Sequence, residues 1–151
     1  MFKVCAAVVA IVCLAAAAGV GAQGANKELA ALTKLACTFP VSVSGSWKGG
    51  EIKADIKQGA DVAVIIDEID AEGGTAKVGP THVTALLTQT SLHFMDRTMQ
   101  GSLSMISVLS QKGPTGTLRA VRSRHDYLPI AIPGFVTEPN VSQHYGECTP
   151  E

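Results

Sequence analysis

The sequence has no excess of charge of either sign. Its 12 lysines and arginines nearly balance its 13 acidic residues, and the formal net charge is −1 at pH 7. Proteins that bind nucleic acids or membrane surfaces usually display a strongly basic face. We therefore expect no nucleic-acid partner. The chain also lacks internal repeats, linkers and low-complexity tracts, and its length suits a single folded domain.

The sequence also lacks the local motifs of common catalytic, metal and nucleotide sites. Its histidines at positions 82, 93, 125 and 144 are never spaced as a chelating pair, and no serine stands in a Gly-x-Ser-x-Gly motif. The acidic segment 67–74 resembles a calcium loop only in composition, because Ile69 and Ala71 occupy positions that need oxygen ligands. We expect neither a metal site nor a cofactor.

A long hydrophobic run is present only at the N-terminus. Lys3 precedes an apolar run over residues 4–18, and small residues follow it up to Ala22. The run is shorter than the 18 or so residues of a spanning helix, and the pattern is typical of a cleaved export signal. We expect residues 1–22 to be a signal peptide. Residues 23–151 would then be one periplasmic or extracellular domain without a membrane anchor.

Cysteine is scarce, and loss of the leader would leave only Cys37 and Cys148. In an oxidising compartment these two residues predict a disulfide that joins both ends of the domain. Closing so long a loop stabilises a fold by about 4–5 kcal/mol in the chain-entropy model. The alternative is a pair of buried free thiols.

The spacing of apolar residues predicts a mainly β domain after a short N-terminal helix. In that helix Asn26 is the cap, and Leu29, Leu32 and either Leu35 or Ala36 share one face. Period-two patterns and short apolar runs such as residues 62–66 then predict strands near residues 37–44, 51–57, 62–66, 76–78, 82–88, 92–95, 103–109 and 118–127. The short connections favour an antiparallel meander of about eight strands, closed as a small barrel or stacked as a sandwich.

Two of these segments carry specific expectations about their faces. In residues 51–57, Ile52, Ala54 and Ile56 alternate with four charged residues, which predicts an inward apolar face. After Tyr127, the prolines at 129, 133, 139 and 150 predict a loop that lies over the domain and is held by Cys148.

The segment 118–127 changes polarity along both of its faces. One face carries two apolar residues and then three charged ones: Leu118, Ala120, Arg122, Arg124 and Asp126. The other face carries Val121, Ser123, His125 and Tyr127. If the first face points inward, its charges line a wet cavity or an anion site. The alternative, which we expect, is that the second face packs inward while the charges meet water, with a bulge near Ala120 resetting the register.

Gly45-Ser46-Trp47 resembles the glycine-x-tryptophan signature near the start of the first strand of lipocalins. The resemblance implies a ligand-binding barrel in which Arg122 or Arg124 packs on Trp47. The alternative is that Trp47 is an ordinary core residue.

Several C-terminal segments together look like those of small exported bacterial proteins that have no assigned activity: Leu92-His93-Phe94, Ser123-Arg124-His125-Asp126-Tyr127, Pro133-Gly134-Phe135 and Tyr145-Gly146-Glu147-Cys148. This resemblance implies an exported domain closed by a disulfide. In a glycosylating host, Asn140-Val141-Ser142 is also a sequon for glycosylation at Asn140.

These observations favour a secreted or periplasmic, non-enzymatic β-barrel that binds a small apolar or anionic ligand or a protein partner. The expected contacts are Trp47, Arg122, Arg124, Asp126 and Tyr127, with His125 and His144 as further candidates. A second hypothesis is a small secreted hydrolase whose base is His125 or His144, assisted by Asp126, Glu147 or an arginine. A third is an inhibitor of an envelope enzyme that acts through the proline-rich tail.

Overall fold

The computed structural model describes residues 27–97, 101–126 and 139–151, apart from the side chains of residues 60 and 61. Eight antiparallel strands form a closed barrel in which each strand pairs with its neighbours along the chain and the last pairs with the first. The strands are β1 (Leu35–Lys48), β2 (Glu51–Asp70), β3 (Thr75–Val78), β4 (Thr81–Leu87), β5 (Ser91–Arg97), β6 (Leu103–Lys112), β7 (Leu118–Asp126) and β8 (Asn140–Pro150). The prediction of a mainly β antiparallel meander is confirmed, and its closed form is the barrel.

The core fills the barrel with alternate side chains of its strands. A fully buried leucine or phenylalanine contributes about 1.5–3 kcal/mol to stability. The buried apolar residues are Leu29, Leu32, Leu35, Cys37, Phe39, Ile66, Ile69, Ala71, Ala76, Val83, Ala85, Leu92, Phe94, Ile106, Val108, Leu118, Ala120 and Cys148.

The two ends of the barrel differ. At the capped end, where β1 begins, Leu29 and Leu32 join the core and the turns at residues 71–74, 88–90 and 113–117 connect the strands. At the open end lie the turns at residues 49–50 and 79–80. Apolar side chains therefore close the first end, whereas the described residues supply no such apolar cap at the second, which we call the open end.

The N-terminal helix ends earlier than the sequence predicts. Among the described residues only 27–30 are helical, and Asn26 lies outside them. Leu35 and Ala36, expected on the helix, begin β1 because Leu35 pairs with Ile66 on one side and Pro150 on the other. Within the described residues no helix is both long and apolar enough to cross a membrane.

The two strands predicted at residues 51–57 and 62–66 form one strand, β2. Phe39 pairs with Val62 and Val41 with Gln58, so residues 59–61 bulge opposite Pro40 alone. Gly59 has a φ of 76°, a conformation that glycine adopts at little cost. From the sequence pattern, residues 59–61 resemble a turn between two strands, but in the structure one strand continues through the bulge.

The expectation of a loop in the C-terminal tail is wrong for residues 140–150, which form β8. This strand pairs with both β7 and β1 and thereby closes the barrel. Pro139 and Pro150 lie at its ends, where they remove no hydrogen bond from its centre. Cys148 is directly opposite Cys37 on β1, and the two form the predicted disulfide. Residues 127–138, which include Tyr127, lie outside the described residues.

The apolar face predicted for residues 51–57 does not reach the core. Ile52 is 72% exposed and Ile56 is 69% exposed. Residues 51–57 belong to an extended hairpin (residues 41–58) in which β2 has β1 as its only described neighbour. Since no described residues form a second layer against this hairpin, the alternation here does not produce burial.

Candidate functional site

The inner wall of the barrel changes from apolar to polar towards the open end. Residues paired across neighbouring strands form successive rows along the wall. The first row is Leu92, Val108, Ala120 and Gly146; the second is Phe94, Ile106, Arg122, His144 and Ser42; the third is Asp96, Ser104, Arg124, Ser142 and Ser44. The polarity change noticed in residues 118–127 is therefore part of a gradient shared by several strands.

The charged face of β7 points inward, contrary to the expected arrangement. Leu118 and Ala120 are only 1% and 2% exposed, so the face they share with Arg122 is the inner one. The pairing of β7 with β8 runs without interruption from Leu118 to Asp126. A register shift near Ala120 does exist, but its extra residues belong to β6 and leave the faces of β7 unchanged.

A cavity of about 260 Å³ opens at this end of the barrel. Its apolar floor includes the buried side chains of Val83, Phe94 and Ile106. Its charged rim includes Asp96, Arg122 and Arg124. The cavity thus offers apolar contact in its depth and charged groups at its mouth.

Arg124 is already neutralised by Asp126. Arg124 Nε lies 2.7 Å from Asp126 Oδ2 and donates a hydrogen bond of 3.0 Å to Oδ1. Burial raises the pKa of Asp126, but the hydrogen bonds with Arg124 and Ser102 and the nearby positive charges outweigh it and lower the pKa overall. Asp126 therefore stays ionised and offsets the charge of Arg124.

Arg122 is half-buried, and no described residue serves as its counter-ion. Within the described ranges no carboxylate forms an ion pair with its guanidinium group. Burial lowers the pKa of Arg122, and the charge of Arg124 lowers it further, yet a guanidinium remains protonated in proteins. Asp96, on the same rim, likewise forms no ion pair with any described residue. The rim therefore presents one cation and one anion that other charges of the described wall leave unmatched.

His144 stands beside Arg122 on the inner wall. His144 belongs to β8, where it lies opposite Arg122 of β7 on one side and opposite Ser42 of β1 on the other. Burial lowers the pKa of His144, and the positive charge of Arg122 lowers it further. Its Nδ1 is buried and forms no hydrogen bond with any part of the chain that the structure describes. His144 is therefore neutral near pH 7 and gains a proton only in more acidic solution.

Of the residues in the hydrolase hypothesis, the structure places His144 beside Arg122 but gives neither His125 nor His144 a hydrogen bond to a described carboxylate. His125 is exposed on the outer face of β7, whereas His144 faces inward. Glu147 lies on the opposite face of β8 from His144 and accepts hydrogen bonds from Thr115 and Thr117. Among the described hydrogen bonds, none joins a histidine to a carboxylate. This geometry lacks the contact between base and acid that such a site requires.

Trp47 lies on the outer face of the sheet, paired with Ile52 and 41% exposed. It is neither a core residue nor packed against Arg122 or Arg124, so both sequence interpretations of it are wrong. The register shift at Pro40 explains its position: before it the odd-numbered residues of β1 face inward, and after it the even-numbered ones do.

Two features of the wall were not predicted from the sequence. Asp96 continues the inner face of Leu92 and Phe94, but the predicted strand ended at residue 95. On the outside, His93 joins two serines, with Nε2 lying 2.8 Å from Ser91 Oγ and Nδ1 lying 2.8 Å from Ser107 Oγ. Extending the alternating pattern of this strand by one residue, past Met95, would have placed Asp96 on the same face as Leu92 and Phe94. No local signal relates residues 93 and 107, which meet only through strand pairing.

No group of three potential metal ligands is found within residues 27–97, 101–126 and 139–151. No protein-family model, curated protein or solved structure matches the chain significantly. The chemistry of the site must therefore be argued from its own residues. The disulfide is consistent with an oxidising compartment.

Proposed function

We propose that this protein is an exported, non-enzymatic binding module that takes a small organic acid into the open end of its barrel. The acid group pairs with Arg122, and the apolar part of the ligand packs against Phe94 and Ile106. The interior of a barrel of about eight strands is filled by side chains or holds one small ligand.

Arg122 is the observation that carries the proposal. Removing a guanidinium from water is costly unless an anion pairs with it. Arg124 has Asp126, but Arg122 has no equivalent partner in the described wall. A carboxylate can accept two parallel hydrogen bonds from a guanidinium, an arrangement stronger than a neutral hydrogen bond.

The cavity also limits the kind of acid. At about 260 Å³ it lies below the roughly 300–1,000 Å³ typical of sites for drug-sized ligands, which favours a compact molecule. Asp96 on the rim repels a second negative charge. We therefore infer a ligand with one acid group and a short apolar chain.

Isothermal titration calorimetry with hexanoate and hexan-1-ol tests this proposal. The two probes share one apolar chain, so their difference measures the contribution of the acid group. We expect hexanoate to bind at least about 10-fold more tightly than hexan-1-ol, since one charge-assisted interaction of about 1.4 kcal/mol corresponds to that factor. Arg122→Gln should remove most of this preference.

Arg119→Gln is the matched control, because Arg119 belongs to the same strand but is exposed on its outer face. It should bind hexanoate like the wild type. The proposal fails if hexanoate does not bind, if both probes bind equally, or if Arg119→Gln weakens binding as much as Arg122→Gln.

A further inference from the structure

The first half of β2 has a backbone edge that pairs with no strand in the described part of the chain. Residues 51–58 pair with β1 on one side. On the other side, the described pairing with β3 begins only at Ile66. An open edge of this kind exposes unused N–H and C=O groups that another strand can bind.

The turn of the extended hairpin determines which backbone groups point to this edge. Gly49 and Gly50 have φ values of 60° and 85°, and positive values at both positions are characteristic of a two-residue type I′ turn. In such a hairpin Lys48 and Glu51 form the hydrogen-bonded pair next to the turn. Because the direction alternates along a strand, the N–H and C=O groups of Ile52, Ala54 and Ile56 point to the free edge.

The sequence of this edge is complementary to itself. When Glu51-Ile52-Lys53-Ala54-Asp55-Ile56-Lys57 is set antiparallel to a second copy about Ala54, each charged residue meets one of opposite sign. Glu51 faces Lys57, and Lys53 faces Asp55. The apolar positions also match, because Ile52 faces Ile56 and Ala54 faces Ala54. Opposite charges and apolar pairs placed directly across an antiparallel ladder each contribute about 0.2–1 kcal/mol.

We propose that this edge pairs with the same edge of a second copy of the chain, related by a two-fold axis beside Ala54. The register that matches the charges is also the one in which Ile52, Ala54 and Ile56 donate and accept the new hydrogen bonds. Two-fold pairing places the same surface on both partners, as most homodimers do. This inference does not depend on the proposed ligand site, which lies on the inner wall.

The exposed apolar face supports the same arrangement. Ile52 and Ile56 are 72% and 69% exposed in the single chain. In the paired edge each isoleucine lies against one from the other copy on the outer face. The charges lie together on the opposite face, where Lys57 Nζ is already 3.4 Å from Asp55 Oδ2 of its own chain.

Light scattering over a dilution series, at low ionic strength, measures the predicted association. The wild-type weight-average mass should rise from that of one chain towards twice that value as concentration increases from about 1 µM to a few hundred µM. Glu51→Lys/Asp55→Lys makes every charge of the edge positive, and Lys53→Glu/Lys57→Glu makes every charge negative. Each variant alone should stay monomeric over the whole series.

An equimolar mixture of the two variants is the decisive test of whether complementary charges on the two edges drive association. Their edges are complementary to each other but not to themselves, so the mixture should regain the doubled mass. Ala54→Pro removes an N–H group that points to the free edge and not to β1, and it should abolish association while the far-ultraviolet circular dichroism is retained.

Three results would overturn the proposal. One is a wild type that stays monomeric at the highest concentration. Another is a charge variant or Ala54→Pro that associates as the wild type does. The third is a mixture of charge variants that fails to associate although each variant retains its circular dichroism.

Discussion

Gly146 occupies a place where two strands approach too closely for any larger residue. A Cβ atom at this position would overlap the carbonyl oxygen of Thr38 and lie 2.8 Å from Phe39 Cα. Both contacts are with backbone, which cannot turn aside as a side chain can. Gly146→Ala should therefore lower the free energy of unfolding by about 3 kcal/mol, at the upper end of overpacking effects. Urea denaturation followed by circular dichroism measures the loss.

Gly45→Ala is the control for this substitution. Gly45 lies in β1, its φ is not positive, and a Cβ there would meet nothing within 4 Å. We expect a change within about 0.5 kcal/mol. Equal losses of stability in the two variants would show that the close approach of β1 and β8 does not require a glycine at position 146.

His144 makes stability depend on pH in a definite direction. Its pKa in the folded protein is lowered below 6.5, first by burial and then by the charge of Arg122. As the pH falls through about 6.5, the unfolded chain takes up a proton at this histidine before the folded protein does. Mild acid therefore favours unfolding, and the contribution of His144 to stability falls as the pH decreases.

His144→Gln removes this titration and keeps a polar side chain. Between about pH 7.5 and pH 5.5 the variant should lose less stability than the wild type, because the difference in proton binding is gone. Urea denaturation at several pH values gives the two slopes. Identical slopes would mean that His144 has the same pKa in the folded and unfolded states.

At the scale of the elements, sequence alternation locates most strands but does not determine which face is buried. In β7 each of the two faces, one including Leu118 and the other Val121, carries both apolar and polar residues. Their polarity alone therefore does not show which face is buried. Pairing with β8, in which Leu118 lies opposite Cys148, settles that Arg122 points inward. In β1 the register shift at Pro40 reverses the faces and carries Trp47 outward. Both outcomes depend on neighbouring strands that are distant in the sequence.

The merged strand β2 and the strand β8 illustrate the same limit. A glycine-containing bulge at residues 59–61 resembles a turn, and prolines at 139 and 150 resemble loop punctuation. Pairing across the barrel keeps β2 continuous and recruits β8 as the closing strand. By contrast, the disulfide between Cys37 and Cys148 could be predicted, because these are the two cysteines outside residues 1–22, the expected signal peptide.

The extended hairpin should tolerate loss of its apolar side chains. Ile52→Thr/Ile56→Thr keeps β-branched residues at two positions that are mostly exposed. At about 1 µM, where the wild type is expected to be monomeric, the free energy of unfolding should change by about 1 kcal/mol or less. Ile66→Ala, on the same strand but fully buried, should cost about 2–5 kcal/mol.

Denaturant unfolding of both variants under the same conditions checks this contrast. If the double threonine variant loses as much stability as Ile66→Ala, Ile52 and Ile56 pack in the core after all, as their alternation with charged residues predicts.

For the whole molecule, the capped end and the open end have different roles. Leu29 and Leu32 complete the apolar core at one end, and the disulfide joins the first and last strands near it. At the other end the wall turns polar and leaves a cavity with Arg122 on its rim. The barrel therefore supplies a stable frame at one end, and the proposed binding chemistry at the other depends on a single guanidinium group.

The side-chain Nε–Hε resonance of Arg122 in a proton–nitrogen NMR spectrum reports most directly on that claim. The resonance is assigned by its absence in Arg122→Gln, and hexanoate is then added stepwise to the wild type. We expect a saturable shift of this resonance together with the methyl resonances of Val83 and Ile106, while the Arg119 resonance stays in place. An unchanged Arg122 resonance at saturating hexanoate, or shifts confined to residues outside the cavity, would contradict it.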